Sequence, residues 1–239
     1  VARVDPDVRM FLFLDACRSQ SLFTERDAEA GPDLGAQVSD LDKRAASLRL
    51  GVLTAAASGK PAGEVRYLGA GYFSHVLASG LAGAADANGD DVVSFGELCA
   101  FVAFNTQRLT GQLPWFDPPG GDLDARAIDH RGRMPRLVVP PAESGRYLVE
   151  SAFGPPVFAE AFKGEGRTLR LALPSGSYRV SRQGPEGRVV STTVTLRAGH
   201  LSDVAGATWA ATTDVRARGV QDESLDFSAP FTPEVVSTL

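Results

Sequence analysis

Cysteine is scarce in this chain: Cys17 and Cys99 are the only two in 239 residues. Two thiols in a chain of this size build no disulfide framework, which excludes the small stapled scaffolds and favours a reducing, cytoplasmic setting. No run of about 18 apolar residues occurs, so the sequence holds no candidate transmembrane helix. A targeting signal at the N-terminus is not assessable from these residues. Positive charge is not in excess either: 24 Lys and Arg stand against 29 Asp and Glu, a net charge of −5. With the basic residues scattered, there is no phosphate-binding stripe and no nucleic-acid partner is expected. Histidine is limited to three residues, His75, His130 and His200, which leaves few candidates for a general base. What the chain does have is the balance of a globular protein, 44% hydrophobic and 22% charged, and enough length for one sizeable domain and a small one.

The stretch Met10 to Ser19 reads M-F-L-F-L-D-A-C-R-S. Its apolar run, Met10 to Leu14, is too short for an independent helix and bulky enough for a strand buried on both faces of a parallel sheet. The run stops at Asp15, Ala16, Cys17 and Arg18. In open α/β sheets the carboxyl ends of strands are where ligands bind, so a thiol and a carboxylate placed there are candidates for chemistry. On residue type alone, Cys17 also fits a small buried hydrophobe and Asp15 a helix cap or strand-end acceptor. A second apolar run, Arg49 to Ala57, predicts another buried strand. It is followed by a small-residue loop, Ser58 to Gly63, and then Glu64. Gly71 to Leu81 predicts a helix, with Phe73, Val76, Leu77 and Leu81 recurring on one face.

These motifs, taken in order, resemble the bacterial caspase-like cysteine peptidases, relatives of the metacaspases and paracaspases. L-D-A-C-R-S is similar to the nucleophile strand of that group, whose bacterial members commonly read D-x-C. Downstream, Ala62 with Glu64, Gly71 to Ser74, and Gly83 to Leu98 match the Ala-x-Glu, Gly-x-Phe-[Ser/Thr] and Gly-x-Ala-Asp-x-Asn-x-Asp…Glu-Leu segments that follow the nucleophile there. The resemblance covers roughly residues 8 to 120. It implies an α/β fold, a caspase-like sheet flanked by helices and incomplete at its N-terminus, and a cysteine endopeptidase activity that requires no cofactor for its chemistry.

Under that resemblance Cys17 is the nucleophile, since a thiolate is intrinsically reactive and its pKa falls beside an imidazolium. Its own backbone N–H, at the end of the strand, would face the developing oxyanion. Asp15 lies two residues earlier, on the same side of an extended backbone. The matching Asp in metacaspase-like proteins lines the pocket for a basic P1 side chain, which implies a protein or peptide substrate cut after Arg or Lys. Glu64 adds a second acid to that pocket or is a solvated loop acid. The histidine base of such peptidases lies about 50 residues before the cysteine. Only 16 residues precede Cys17 and none is His, so the expectation is a base supplied by a missing N-terminal portion or by a partner chain. His75 within a helix, His130 in the basic loop D-H-R-G-R and His200 in a turn do not match the base's element. The alternatives are a catalytically inactive caspase-like scaffold and a calcium-binding interaction module.

The second chemically informative stretch is Asp86 to Glu97, D-A-N-G-D-D-V-V-S-F-G-E. Asp86, Asn88, Asp90, Ser94 and Glu97 fall at positions 1, 3, 5, 9 and 12 of a twelve-residue calcium loop, with the Val92 carbonyl at position 7. Position 6 is Asp91 where glycine is expected, and Asp tolerates the left-handed backbone better than most residues. The same residues also fit a plain turn followed by a capping box, Ser94 with Glu97, at the start of a helix Phe95 to Leu109. If Ca²⁺ binds here, it clamps the loop, since none of its ligands is the nucleophile.

The remaining segments read by composition. Ser19 to Ser47 is a long polar stretch, on its residues a surface loop with a short helix at Leu41 to Leu48; the resemblance implies instead a processing loop there, with basic sites at Arg26, Lys43 and Arg44. The peptidase-like domain extends over 1–120 and a Pro/Gly-rich, charged linker over 121–135. From there the chain alternates, with Tyr147 and Val149, Val157 to Phe162, Leu169, Leu171 and Leu173, and Tyr178 and Val180 separated by turn signals. Regular short strands of this kind predict a small all-β sandwich over 136–206, and Leu173 to Val180, L-P-S-G-S-Y-R-V, resembles PEGA-like and carboxypeptidase-regulatory-like β domains. The tail, 207–239, is expected to be extended.

Overall fold

The computed structural model describes residues 9–15, 50–55, 64–65, 70–111, 113–132, 134–183 and 189–211. Cys17, the stretch Ser19 to Ser47 and the tail beyond residue 211 lie outside them. The described chain is mixed α/β, mostly strands in several sheets with two α-helices. β1 (Met10–Leu14) and β2 (Leu50–Thr54) are the two apolar runs, and they pair in parallel from Met10 opposite Leu50 to Leu14 opposite Thr54. β3 (Glu64–Val65) and β4 (Ala70–Gly71) form a short antiparallel pair that leads into α1 (Tyr72–Ser79). After a π-helical turn, Gly80–Ala84, come β5 (Val92–Ser94), α2 (Phe95–Thr110) and β6 (Trp115–Asp117).

β6 pairs antiparallel with β2, giving the order β1-β2-β6. This places β2 in the centre, and Val52, Leu53 and Thr54 are buried. β1 departs from the expectation of burial on both faces: all five of its residues are only half-buried. The reason is its place in the sheet, since among the described residues β1 has a strand beside it on one side only. Helix α2 follows from its sequence. The Ser94 hydroxyl accepts from the Glu97 N–H while Glu97 accepts from the Ser94 N–H, a complete capping box. Phe95, Leu98, Cys99 and Val102 recur at helical spacing and are fully buried. Gly111 ends the helix in the left-handed conformation, φ 68°.

Residues 121–135, read as a linker, carry β7 (Arg126–Asp129), which pairs antiparallel with β5, Val93 opposite Ile128. The alternation beyond it produces β8 (Arg136–Val139), β9 (Gly145–Ser151), β10 (Gly154–Lys163), β11 (Leu169–Ala172), β12 (Gly176–Gln183), β13 (Val189–Leu196), β14 (Leu201–Asp203) and β15 (Ala210–Ala211). They form a five-stranded antiparallel sheet, order β10-β9-β12-β13-β15, and a three-stranded sheet, order β11-β8-β14. Inside the segment expected as an extended tail, Ala210 and Ala211 pair with β13, and Trp209 sits against Tyr147 and under the Arg182 guanidinium. One hydrophobic cluster runs from Leu53 of β2 through Val76 and Leu98 to Tyr147, Leu171 and Val180. The helices and the β-rich region therefore share a core.

Where α1 turns toward the Asp86–Glu97 loop, Gly83 has φ 115°, and a Cβ there would collide with the Arg170 carbonyl oxygen. Neither a side chain's backbone preference nor its volume fits there. Gly83→Ala is expected to cost about 2 kcal/mol or more in urea unfolding. Gly89→Ala, also at positive φ but facing open space, is expected to cost about 1 kcal/mol.

Candidate functional site

Asp15 follows β1 directly, at its carboxyl end, and is exposed. Its carboxylate is met there by the start of α1. The Ser74 hydroxyl donates to Asp15 Oδ2, a contact between residues 59 apart in sequence. Gly71, the N-cap of α1, lies against the same carboxylate: a Cβ at position 71 would stand 3.0 Å from Oδ2 and 3.6 Å from Oδ1. The backbone of Glu64 is paired opposite Gly71. The end of β1, the start of α1 and the Glu64 strand thus meet at one point. The positive end of the α1 dipole adds a favourable field for the carboxylate. Cys17, two residues beyond Asp15, is outside the described residues. Beside this point, at the end of β2, the buried Thr54 hydroxyl has no hydrogen-bond partner among the described residues.

The three histidines are engaged elsewhere. His75 Nε2 lies 2.8 Å from Glu160 Oε2, both side chains nearly inaccessible. Glu160 also receives the Arg146 guanidinium, and its N–H donates to the Ser79 hydroxyl, which donates in turn to the His75 carbonyl. Burial pushes the Glu160 carboxyl up, but the His75 hydrogen bond and the Arg146 charge outweigh it and hold the group below its usual range. His130 is buried with Nε2 2.8 Å from the Leu81 carbonyl, and His200 Nδ1 lies 2.9 Å from the Ala198 carbonyl. Cys99 is buried in α2, where burial pushes its thiol up. That disposition suits packing and not nucleophilic chemistry.

The Asp86–Glu97 loop adopts the turn its sequence asks for. Asp86 Oδ1 accepts from Gly89 N–H at 2.7 Å and Oδ2 from Asp91 N–H at 3.0 Å. Asn88 Oδ1 accepts from Asp90 N–H, and Asp90 Oδ1 from Val92 N–H, both at 2.8 Å. Glu97 closes the loop, with Oε1 accepting from Ala87 N–H at 3.1 Å and Oε2 from the Ser94 N–H and hydroxyl at 2.9 Å. Asp91 stands at φ 66°, the one non-glycine residue at positive φ among the described residues. The left-handed position 6 therefore forms without glycine. Asp91 is also recruited for its charge, pairing with Arg136 at 2.8 Å and Arg170 at 3.8 Å. Burial and the Glu97 and Asp90 charges push the Asp86 carboxyl up, against hydrogen bonds from Gly89 and Asp91 that lower it. A divalent cation would relieve that repulsion. Among the described residues, no three His, Cys, Asp or Glu side chains converge as a ready metal-binding group.

The loop is gripped from the β-rich region. Arg167 donates to the Asp86 and Ala87 carbonyls, Arg170 to the Gly89 carbonyl, and the Asp91 carbonyl accepts from His130 N–H. A small cleft opens at this junction, lined by Asp86, Lys163 and Arg167 among others. Its cations are already bonded to backbone carbonyls, Lys163 to those of Pro141, Glu143 and Gly164, so it offers little to a substrate. The arginines that hold the loop carry no local sequence signal. Ser74 did carry one, the Gly-x-Phe-[Ser/Thr] segment, although nothing in it names Asp15 as its partner. No helix among the described residues is long and apolar enough to cross a membrane. Comparison with protein-family models, curated proteins and solved structures gave no match.

The buried Glu160 network makes a pH prediction. Because the folded state holds the Glu160 carboxyl below its ordinary 4.5, its contribution is complete above that pH and is lost as pH falls through the folded-state value. Glu160→Gln should lower stability near neutral pH by about 3–5 kcal/mol, since it breaks the buried Arg146–Glu160 ion pair. It should also flatten the acid limb of the stability curve, as measured by urea titrations at successive pH values.

Proposed function

We propose that this chain is the nucleophile-bearing part of a caspase-like cysteine endopeptidase that cleaves after Arg or Lys. The observation that supports this most is the meeting of Asp15 with Gly71 and Ser74. Two segments that resemble the peptidase family at a distance in sequence come together at the carboxyl end of β1, where the chemistry of α/β sheets concentrates. The finer architecture belongs to the same reading: the β1-β2-β6 sheet with α1 and α2 is the caspase-like unit, and the two sheets beyond β7 are the β-sandwich.

In this reading the Cys17 thiolate attacks the carbonyl carbon of the peptide bond after the basic residue. The tetrahedral oxyanion collapses to a thioester with release of the amine, and water then hydrolyses the thioester. Asp15 receives the P1 cation, and Glu64, whose backbone faces Gly71, adds negative charge to the same pocket. The histidine base comes from outside these residues, because His75, His130 and His200 are each tied to other groups. That same engagement is the observation in favour of the second reading, a catalytically inactive scaffold or calcium-binding interaction module.

Ca²⁺ would be held by the oxygens of Asp86, Asn88, Asp90, Ser94 and Glu97 with the Val92 carbonyl, a donor set that suits a hard cation. When bound, it neutralises the loop's carboxylates. The chain's own residues already shape the loop through the Asp86, Asn88 and Asp90 bonds to backbone N–H groups.

The full-length gene product is expected to hydrolyse fluorogenic peptides ending in Arg or Lys, and not those ending in Asp. Cys17→Ala should abolish the activity, and Asp15→Asn should reduce kcat/KM on basic substrates by about a hundredfold. Ca²⁺ at a hundred times its Kd should stabilise the protein by about 2.7 kcal/mol, and Asp86→Asn should remove that gain. Hydrolysis that survives Cys17→Ala contradicts the nucleophile assignment, and silence of the full-length protein supports the scaffold.

A further inference from the structure

Two features at Asp15 are not explained by the fold alone. Gly71 has φ −65° and ψ 157°, a conformation open to any residue, so the backbone there does not require glycine. The missing side chain instead keeps clear the approach of the Asp15 carboxylate, whose Oδ2 would stand 3.0 Å from a Cβ. Ser74 then occupies Oδ2 by donating its hydroxyl to it. The two together fix which oxygen is engaged. Oδ2 accepts from α1, and among the described residues no hydrogen bond engages Oδ1, which is the oxygen offered to a ligand.

Resting on the peptidase reading above, we propose that Ser74 and Gly71 set the choice of P1 cation by presenting Asp15 through a single oxygen. The chemistry of the two basic side chains separates them here. A lysine ammonium is a compact charge whose donors rotate to meet one oxygen, whereas arginine's planar fork gains most from a carboxylate that offers both. A carboxylate with one oxygen already accepting from a serine hydroxyl has less left for arginine's two parallel bonds than for a single ammonium, and so suits lysine at least as well as arginine. Ser74 is a positioning residue in this account, since it acts through Asp15 and touches no reacting atom.

The test is steady-state kinetics of the full-length protein on matched Lys and Arg peptides. Wild type should cleave after Lys at least as efficiently as after Arg. Ser74→Ala frees Oδ2 and the carboxylate's rotation. It should raise KM for the Lys peptide about tenfold with kcat unchanged, and shift the kcat/KM ratio towards Arg. Ser74→Thr keeps the hydroxyl and should keep the wild-type ratio. Gly71→Ala, which crowds Oδ2, should raise KM for the Lys peptide in the same direction.

A wild type that prefers Arg more than about tenfold, a Ser74→Ala ratio that does not move, or an equal fall in kcat on both peptides would overturn the proposal while leaving the peptidase intact. The last result would mean that Asp15 and Ser74 only cap α1. If wild type hydrolyses neither peptide, the peptidase reading itself falls, and this inference with it.

Discussion

The buried Glu160 carboxylate is the interaction on which the arrangement of this molecule turns. It sits on β10, where His75 from α1 hydrogen-bonds to it and the Arg146 guanidinium from β9 pairs with it. A carboxylate taken out of water is tolerated only with such partners, so helix and sheet are fixed to each other at this point. Ser74 precedes His75 on the same helix and reaches the other way, to Asp15 at the end of β1. The placement of the helix that meets Asp15 therefore depends on a contact made in the β-rich region.

A second tie runs through the Asp86–Glu97 loop. The loop is shaped internally by side-chain oxygens accepting backbone N–H groups, and it is held externally by Arg136, Arg167 and Arg170. β5, at the end of the loop, pairs with β7, so the chain between the helical unit and the β-rich region is itself part of a sheet. The shared hydrophobic cluster completes the connection. The β-rich region acts here as a support for the elements that carry the site, more than as an appended module.

Local elements were legible in the sequence where their cause is local. The runs at Met10–Leu14 and Arg49–Ala57 announce strands because parallel pairing calls for continuous apolar stretches, and Ser94 with Glu97 announces α2 because the capping box is a property of four residues. Helix α1 and the strands β9 to β12 were readable from periodicity for the same reason. The half-exposure of β1 was not, since it depends on which strands flank it. Nor was the pairing of β7 with β5, or the Asp91–Arg136 ion pair, whose partners are distant in sequence and carry no mutual signature. At Asp91 the sequence showed a departure from glycine, and only the structure shows its compensation: a tolerated left-handed backbone and a carboxylate paired with two arginines. Asp15 could be nominated from its position after a strand, but its orientation is set by Gly71 and Ser74, which only folding brings to it.

The central claim is that Cys17 is a nucleophile served by an acidic P1 pocket. The measurement that tests it most directly is covalent labelling of the full-length protein by peptidyl acyloxymethyl ketones with Lys, Arg or Asp at P1, followed by mass spectrometry of the modified peptide. The account predicts a thioether at Cys17 with the basic probes, none at Cys99, whose thiol is buried and pushed up in pKa, and loss of labelling in Asp15→Asn. Labelling that ignores the P1 residue, that falls on Cys99, or that fails altogether with the basic probes would contradict it.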